Sequence, residues 1–428
     1  MFTEQTISRI QIALRHRTWC WFSHYLWPLA ILIVSCASAQ PSGAVSNIKT
    51  YPIPTSDAGS IWITAGPDGA LWFTENTSGK IGRITAQGDV TEFSTNSQSL
   101  GAIAEGPDGA LWFADYGANA IGRITTAGTL SEFPIPTSNS GPLRIVTAPD
   151  GALWFTENVA NQIGRLSLDG NFAEYPIPTA GSGPWGITSG PDGAIWFTES
   201  LANQIGKITV AGSITEFSLP VSIGPGGGCI TAGRDNALWF LEYAGNKVGR
   251  MTPDGVLTEY PIPTSNSGPG RIVEGPDGAI WFTESLAGRI ARITFDGTLT
   301  EYHVAPTAGQ PFGITAGPDG GLWIGTTDSI SRAPACGLGL TPSFAAGTLT
   351  LDFDLGTSTS GTWSAYVRSQ NGRKQLWSRN LEPVVPPQRL SLSIGPGFPN
   401  SGNIRVSSMI VDSVGQTMCA EWMSVNTQ

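Results

Sequence analysis

Six carboxylates recur along the chain at steps of 40 to 43 residues: Glu75, Asp115, Glu157, Glu199, Glu242 and Glu284. Five close a Leu/Ile-Trp-Phe-Thr/Leu segment and Asp115 closes Leu-Trp-Phe-Ala, so all six occupy one position of a repeated unit. Carboxylates that converge on one opening raise one another's pKa or recruit an oxygen-preferring cation such as Mg2+ or Ca2+. On that reading Glu157, Glu199, Glu242 and Glu284 are candidate ligand-binding residues, and Glu199, Glu242 and Glu284 are candidate metal ligands. A second reading is architectural. Each repeat also carries a base, at Arg83, Arg123, Arg165, Lys207, Arg250 and Arg292, and the seventh has Thr326 in place of the acid and Arg332 as its base. A ring of acid–base pairs holding strands in register would use the same residues, and the sequence leaves both readings open.

The elements that carry these residues follow from the repeat. A tight turn with Asp68, Asp108, Asp150, Asp192, Asp235, Asp277 or Asp319 precedes each Trp-bearing strand, and Asp-Gly in such a turn needs no ligand to explain it. A period near 42 that holds several short strands and no helix defines a β-propeller blade, and seven copies give seven blades. In the unit 173–209 the run Ala173–Pro178 carries two prolines, which suit only an outer edge strand. Residues 185–189 form the strand on the channel wall, 194–198 a strand buried on both faces, and 203–209 the third. The seventh repeat never returns to the edge phrase, which stands instead at Tyr51-Pro52-Ile53-Pro54, so the segment 47–54 is expected to close the ring against residues 312–333. The propeller is thus assigned to 45–335.

At the start of each first strand the residues are Ile61, Gly101, Leu143, Trp185, Gly228, Gly270 and Phe312. The two aromatics, Trp185 and Phe312, are candidates for a stacking wall or a plug at the channel mouth. The repeated tryptophans are core residues.

Outside the repeat, residues 1–39 place basic residues ahead of the apolar run Leu26–Val34 and an Ala37-Ser38-Ala39 cleavage signal, which predicts a signal peptide. Ile33-Val34-Ser35-Cys36 also has lipobox grammar, so a membrane tether through a lipidated Cys36 stands beside simple cleavage and an uncleaved anchor. All three place the protein outside the cytoplasm of a bacterium: secreted, periplasmic or attached to the envelope. That leader carries a net +2, so the rest of the chain carries −12, a balance that argues against nucleic acid as a partner. A small molecule, peptide or glycan at the channel mouth is the expected partner, and the chain is expected to be a monomer. Residues 336–428 alternate polar and apolar, as in Leu349–Leu355 and Arg389–Ile394, and predict a small, immunoglobulin-like β-sandwich. Cys336 and Cys419 are a candidate disulfide across it, whereas Cys229 reads as a small buried residue. Past the leader the one histidine is His303, on an expected outer edge.

The phrase Gly66-Pro-Asp-Gly-Ala-Leu-Trp-Phe-Thr-Glu75, with Asn161-Gln-Ile-Gly-Arg165 after a later copy, resembles the repeat of the virginiamycin B lyase (streptogramin lyase) family of seven-bladed propellers over residues 47–333. The resemblance implies an elimination that opens a cyclic depsipeptide at an ester, with a histidine base at a Pro-His-Gly motif and Mg2+ held by carboxylates. The matching motifs here are Pro184-Trp185-Gly186 and Pro311-Phe312-Gly313, which lack both histidines, and the acid fourteen residues on is Glu199 in the first and Thr326 in the second. The first functional expectation is therefore an exported, non-catalytic binding or scaffold propeller. Its alternative is a divergent Mg2+-dependent lyase acting on such esters, with Glu199 as the candidate catalytic base.

Overall fold

The computed structural model describes residues 43–44, 48–56, 58–59, 61–224, 227–304 and 309–334, together with strands between 341 and 426. The signal peptide, Cys36 and the Cys336–Cys419 pairing lie outside the described residues.

Seven antiparallel sheets of four strands run through residues 49–334, with no helix among the described residues. Blade 4 is representative: strands 184–189, 195–199, 204–208 and 214–218 lie side by side in chain order from first to fourth. Blade 7 takes its outer strand from the other end of the chain. Residues 49–52 lie antiparallel to 329–334, with Tyr51 opposite Ile330. Blade 6 gains a fifth, parallel strand at 43–44, opposite Tyr302 and His303.

The second strand of every blade is buried on both faces, and its side chains alternate between neighbours. Trp196 and Ile205 of blade 4 pack with Leu238, Phe240 and Met251 of blade 5, so each hydrophobic cluster sits between two blades. The third strand must then be thin. A Cβ on Gly206 would lie 2.1 Å from the Phe197 ring, and Gly82, Gly122, Gly164 and Gly249 meet their blade's phenylalanine in the same way. Each tryptophan also stacks on the aromatic residue of its outer strand, as Trp196 does on Phe217 at 5.5 Å. In blade 7 the stacked ring is Tyr51, 5.8 Å from Trp323.

Glycine and a carboxylate together shape each turn. In blade 1, Gly66 lies under the Trp72 indole, and Gly69 adopts φ +74°, which only glycine takes freely. Asp68 between them accepts the Trp72 indole N–H at 3.0 Å and ion-pairs with Arg83 at 2.6 Å. The same trio recurs in all seven blades, with indole-to-carboxylate distances of 2.9 to 3.2 Å. The repeated bases are thus partners of the turn aspartates: Arg83, Arg123, Arg165, Lys207, Arg250 and Arg292 at 2.6 to 2.8 Å, and Arg332 with Asp319. The acid–base ring expected between these bases and the second-strand carboxylates is not formed, because the base projects toward the turn at the opposite end of the strand.

Beyond the propeller, strands 341–345, 348–355 and 388–394 form one sheet, and 375–381, 362–369, 403–411 and 417–426 another.

Candidate functional site

The six recurring acids do not line the channel mouth. All are fully buried in the sheet stack. Glu157 lies over bare Gly164, whose Cβ would come within 2.6 Å of its carboxylate. Both carboxylate oxygens of Glu157, Glu199, Glu242 and Glu284 are buried without a hydrogen-bond partner. Burial first, and the facing carboxylate of the outer strand second, push each of these four up to about 8, the facing groups being Glu174, Glu216, Glu259 and Glu301. Burial also raises Glu75 to about 7, against a 2.6 Å hydrogen bond from Ser78.

Glu174, Glu216 and Glu301, and Glu92 opposite Glu75, hold blades together, whereas Glu259 accepts from Lys247 of its own blade at 3.0 Å. Glu92 accepts the N–H and hydroxyl of Thr55 at 3.0 and 2.8 Å, and Glu301 those of Thr264 at 2.9 Å each. Glu174 and Glu216 accept the N–H groups of Thr137 and Thr179. These threonines end the Pro-Ile-Pro-Thr phrase of the preceding blade, so the phrase and the Thr-Glu-Phe/Tyr phrase are two halves of one joint. Among the described residues no group of three or more His, Cys, Asp or Glu side chains stands close enough to hold a metal ion. Glu199, Glu242 and Glu284 each sit in a separate blade and face one further carboxylate, a donor set that does not fit the hydrated octahedron of Mg2+.

The channel is built one residue further along each first strand than the sequence register suggested. Its lining consists of two layers: Trp62, Ala102, Arg144, Gly186, Cys229, Arg271 and Gly313, then Ile63, Ile103, Ile145, Ile187, Ile230, Ile272 and Ile314. They enclose about 150 Å3. The ladder of blade 1 is unbroken through Trp62 and Ile63, but in blades 2, 3, 4 and 6 a register shift ahead of the isoleucine brings consecutive residues to the channel. Such an irregularity re-aims a side chain. The threonine of the Trp-Phe-Thr-Glu phrase fixes it: Thr156 Oγ1 accepts from Arg144 N–H and donates to the Trp185 carbonyl, both at 3.2 Å. Thr198 and Thr283 do the same for Gly186 and Gly228, and for Arg271 and Phe312. Trp185 and Phe312 therefore stand half-buried beside the channel, with their carbonyls engaged, while their neighbours Gly186 and Gly313 line it.

The isoleucine layer is uniform and the layer above it is not. The Cζ atoms of Arg144 and Arg271 lie 3.2 and 3.4 Å from the Trp62 ring centroid. Two carbons that close to one centroid cannot share a face, so the guanidiniums sandwich the indole, a favourable cation–π arrangement. Both also donate to Cys229 Sγ, at 3.0 Å from Arg144 Nη2 and 3.4 Å from Arg271 Nη1. Cys229 is buried as its sequence position suggested, but its surroundings are electropositive. Burial pushes its thiol up, the two guanidiniums outweigh that, and the net shift is down. The Trp185 ring lies 5.8 Å from the Arg144 Cζ, and its indole N–H is buried without a partner. None of Trp62, Arg144 or Arg271 was singled out from the sequence. The signal was there in the variation: alone among the channel positions, this layer departs from the repeat.

His303 is exposed on the outer strand of blade 6.

Residues 31–225 and 224–337 match the virginiamycin B lyase family. A virginiamycin B lyase from Saccharopolyspora erythraea is 42% identical over 53 residues, a stretch that spans 12% of this chain and only 18% of that protein. A streptogramin B lyase structure is 40% identical, with a TM-score of 0.64 over 67% of this chain and 96% of that one. A catalytically inactive virginiamycin B lyase variant from Staphylococcus aureus, solved with quinupristin, is 39% identical, with a TM-score of 0.63 over 67% of this chain and 98% of that one.

Proposed function

Because the chain belongs to the virginiamycin B lyase family, we propose that it is an exported relative that binds a ligand in the central channel without the family's histidine chemistry. The observation that carries this is the layer of Trp62, Arg144, Cys229 and Arg271. It offers two permanent cations and an aromatic face, which suit binding. It offers no imidazole poised near neutral pH to move a proton.

The competing reading is a divergent Mg2+-dependent lyase acting on cyclic depsipeptide esters, with Glu199 as base. One fact favours it: a carboxyl held at about 8 is well matched to proton abstraction. Geometry weighs more, since a base must come within hydrogen-bond reach of its substrate and Glu199 is wholly enclosed. The C-terminal strands, ordered in sheets of three and four, fit an immunoglobulin-type sandwich and would serve as spacer or attachment module.

The test is chromatography of quinupristin incubated with the purified protein, with and without Mg2+. Recovery of intact quinupristin is expected in both. A metal-dependent, ring-opened product would sink the non-catalytic reading, and its loss in Glu199→Gln would identify the base.

A further inference from the structure

The charge in the channel is unbalanced. Arg144 and Arg271 repel each other, and the one other titratable group acting on either is Cys229. No ion pair reaches either guanidinium among the described residues, and both Nε atoms are buried without a partner. A guanidinium stays charged in a protein, so its burial is tolerated only where something supplies the counter-charge. If Cys229 is a thiol the pocket carries +2, and if a thiolate, +1. Either state leaves positive charge unbalanced.

The pocket also limits which anion would balance it. Its volume of about 150 Å3 suits a small molecule. One side is a layer of seven isoleucines, and the Trp62 ring divides the two cations. Planar guanidiniums bind planar carboxylates through paired N–H donors. A phosphate or sulfate would turn one or more of its tetrahedrally placed oxygens toward the isoleucine layer, whereas a carboxylate turns its hydrocarbon there. We propose that the channel binds the carboxylate of a small organic acid, with the head group on Arg144 and Arg271 and the apolar remainder against the isoleucine layer. This rests on the ligand-binding reading above and names the ligand of that site.

The intact protein is titrated with butyrate and with benzoate, following tryptophan fluorescence and thermal unfolding, against NaCl, sulfate and phosphate at matched ionic strength. A saturable fluorescence change and a rise in unfolding temperature are expected with the carboxylates, at concentrations at least tenfold below any effect of the other salts. Arg144→Gln and Arg271→Gln are each expected to weaken binding by tenfold or more, whereas His303→Gln, on the exposed outer strand of blade 6, keeps it. Should the arginine variants not fold, the wild-type salt series decides alone. A response that tracks ionic strength only, tighter binding of sulfate or phosphate, undiminished binding in folded arginine variants, or loss in His303→Gln would each overturn the assignment. Ring opening of quinupristin would remove the non-catalytic reading and leave this site standing. Absence of carboxylate binding would do the reverse.

Discussion

A carboxyl enclosed between blades and facing another carboxyl keeps its proton where a free glutamate has lost it. Glu157, Glu199, Glu242 and Glu284, each raised to about 8, thus bind a proton in the folded protein that the unfolded chain releases near the ordinary glutamate value of about 4.3. Between those limits the native state holds more protons than the unfolded one, so stability falls as pH rises and the full benefit is present only below the lower limit. The turn carboxylates work the other way. Burial tends to raise Asp68, Asp108, Asp150, Asp192 and Asp319, but hydrogen bonds from the tryptophan and the base lower them overall. Their contribution is lost as pH falls through the aspartate range. Thermal unfolding scanned from pH 3 to 9 should therefore peak near about pH 5 and decline toward pH 9. Glu199→Gln should raise the unfolding temperature at pH 8.5 more than at pH 5; an equal effect at both would refute an ionisation cost at this position. The recurrence of these acids was plain in the sequence, but their destination was not. Strand alternation fixes which face a residue takes, yet only the packed ring shows that this face abuts another blade. The same limit hid Arg144 and Arg271, since an irregularity of a single residue in the first strand moves the channel-facing position by one.

The blade as an element is governed by contacts that leave no slack in the third strand. Gly206 lies beneath the Phe197 ring with no space for a Cβ, while blade 6 accepts Ala291 at the same position opposite Phe282. A methyl is thus accommodated when the phenylalanine moves, and a branched side chain demands more. Gly206→Ala is expected to lower stability in urea unfolding by about 1–3 kcal/mol, the usual range for overpacking, and Gly206→Val by more. A Gly206→Val variant as stable as the parent would mean that the ring has room to move. The Asn of the Asn-x-Ile-Gly-Arg-Ile phrase shows how a motif reads as lettering until it is folded. Asn161 adopts φ +59°, holds the Ile177 and Thr179 carbonyls through Nδ2, and takes the N–H and hydroxyl of Ser182 on Oδ1. It shapes the loop leading to the next blade. The strand order and turn chemistry of the blade were legible because both are local in sequence. The joint between Thr179 and Glu216 was not, because its partners are 37 residues apart and neither residue type announces the other.

Across the whole molecule, stability depends on a join that the peptide chain does not make. Six blades are continuous in sequence, whereas the seventh is completed by residues 49–52. This closure was legible in the sequence, because the edge phrase is missing after the seventh repeat and present ahead of the first. Its energetics come from the side chains. Tyr51 stacks on Trp323, Thr50 Oγ1 meets Ser331 Oγ at 3.0 Å, and Thr55 continues onto Glu92 of blade 1 with Lys80 beside it. One short segment therefore grips the last blade and the first. Tyr260 makes the corresponding stack on Trp239 at 5.7 Å, but within a blade whose four strands follow one another along the chain. Removing either ring forfeits a similar contact, so the equilibrium losses of Tyr51→Ala and Tyr260→Ala should be alike. Their kinetics should not be. With Tyr51 gone the closing segment can peel away and open the ring, exposing the faces of two blades, while the loss of Tyr260 leaves its strand tethered at both ends. Stopped-flow unfolding should accordingly be accelerated several-fold more by Tyr51→Ala than by Tyr260→Ala. Equal acceleration would mean that the ring opens elsewhere, and that closure by the N-terminal strand is no weaker than the covalent connections between the other blades.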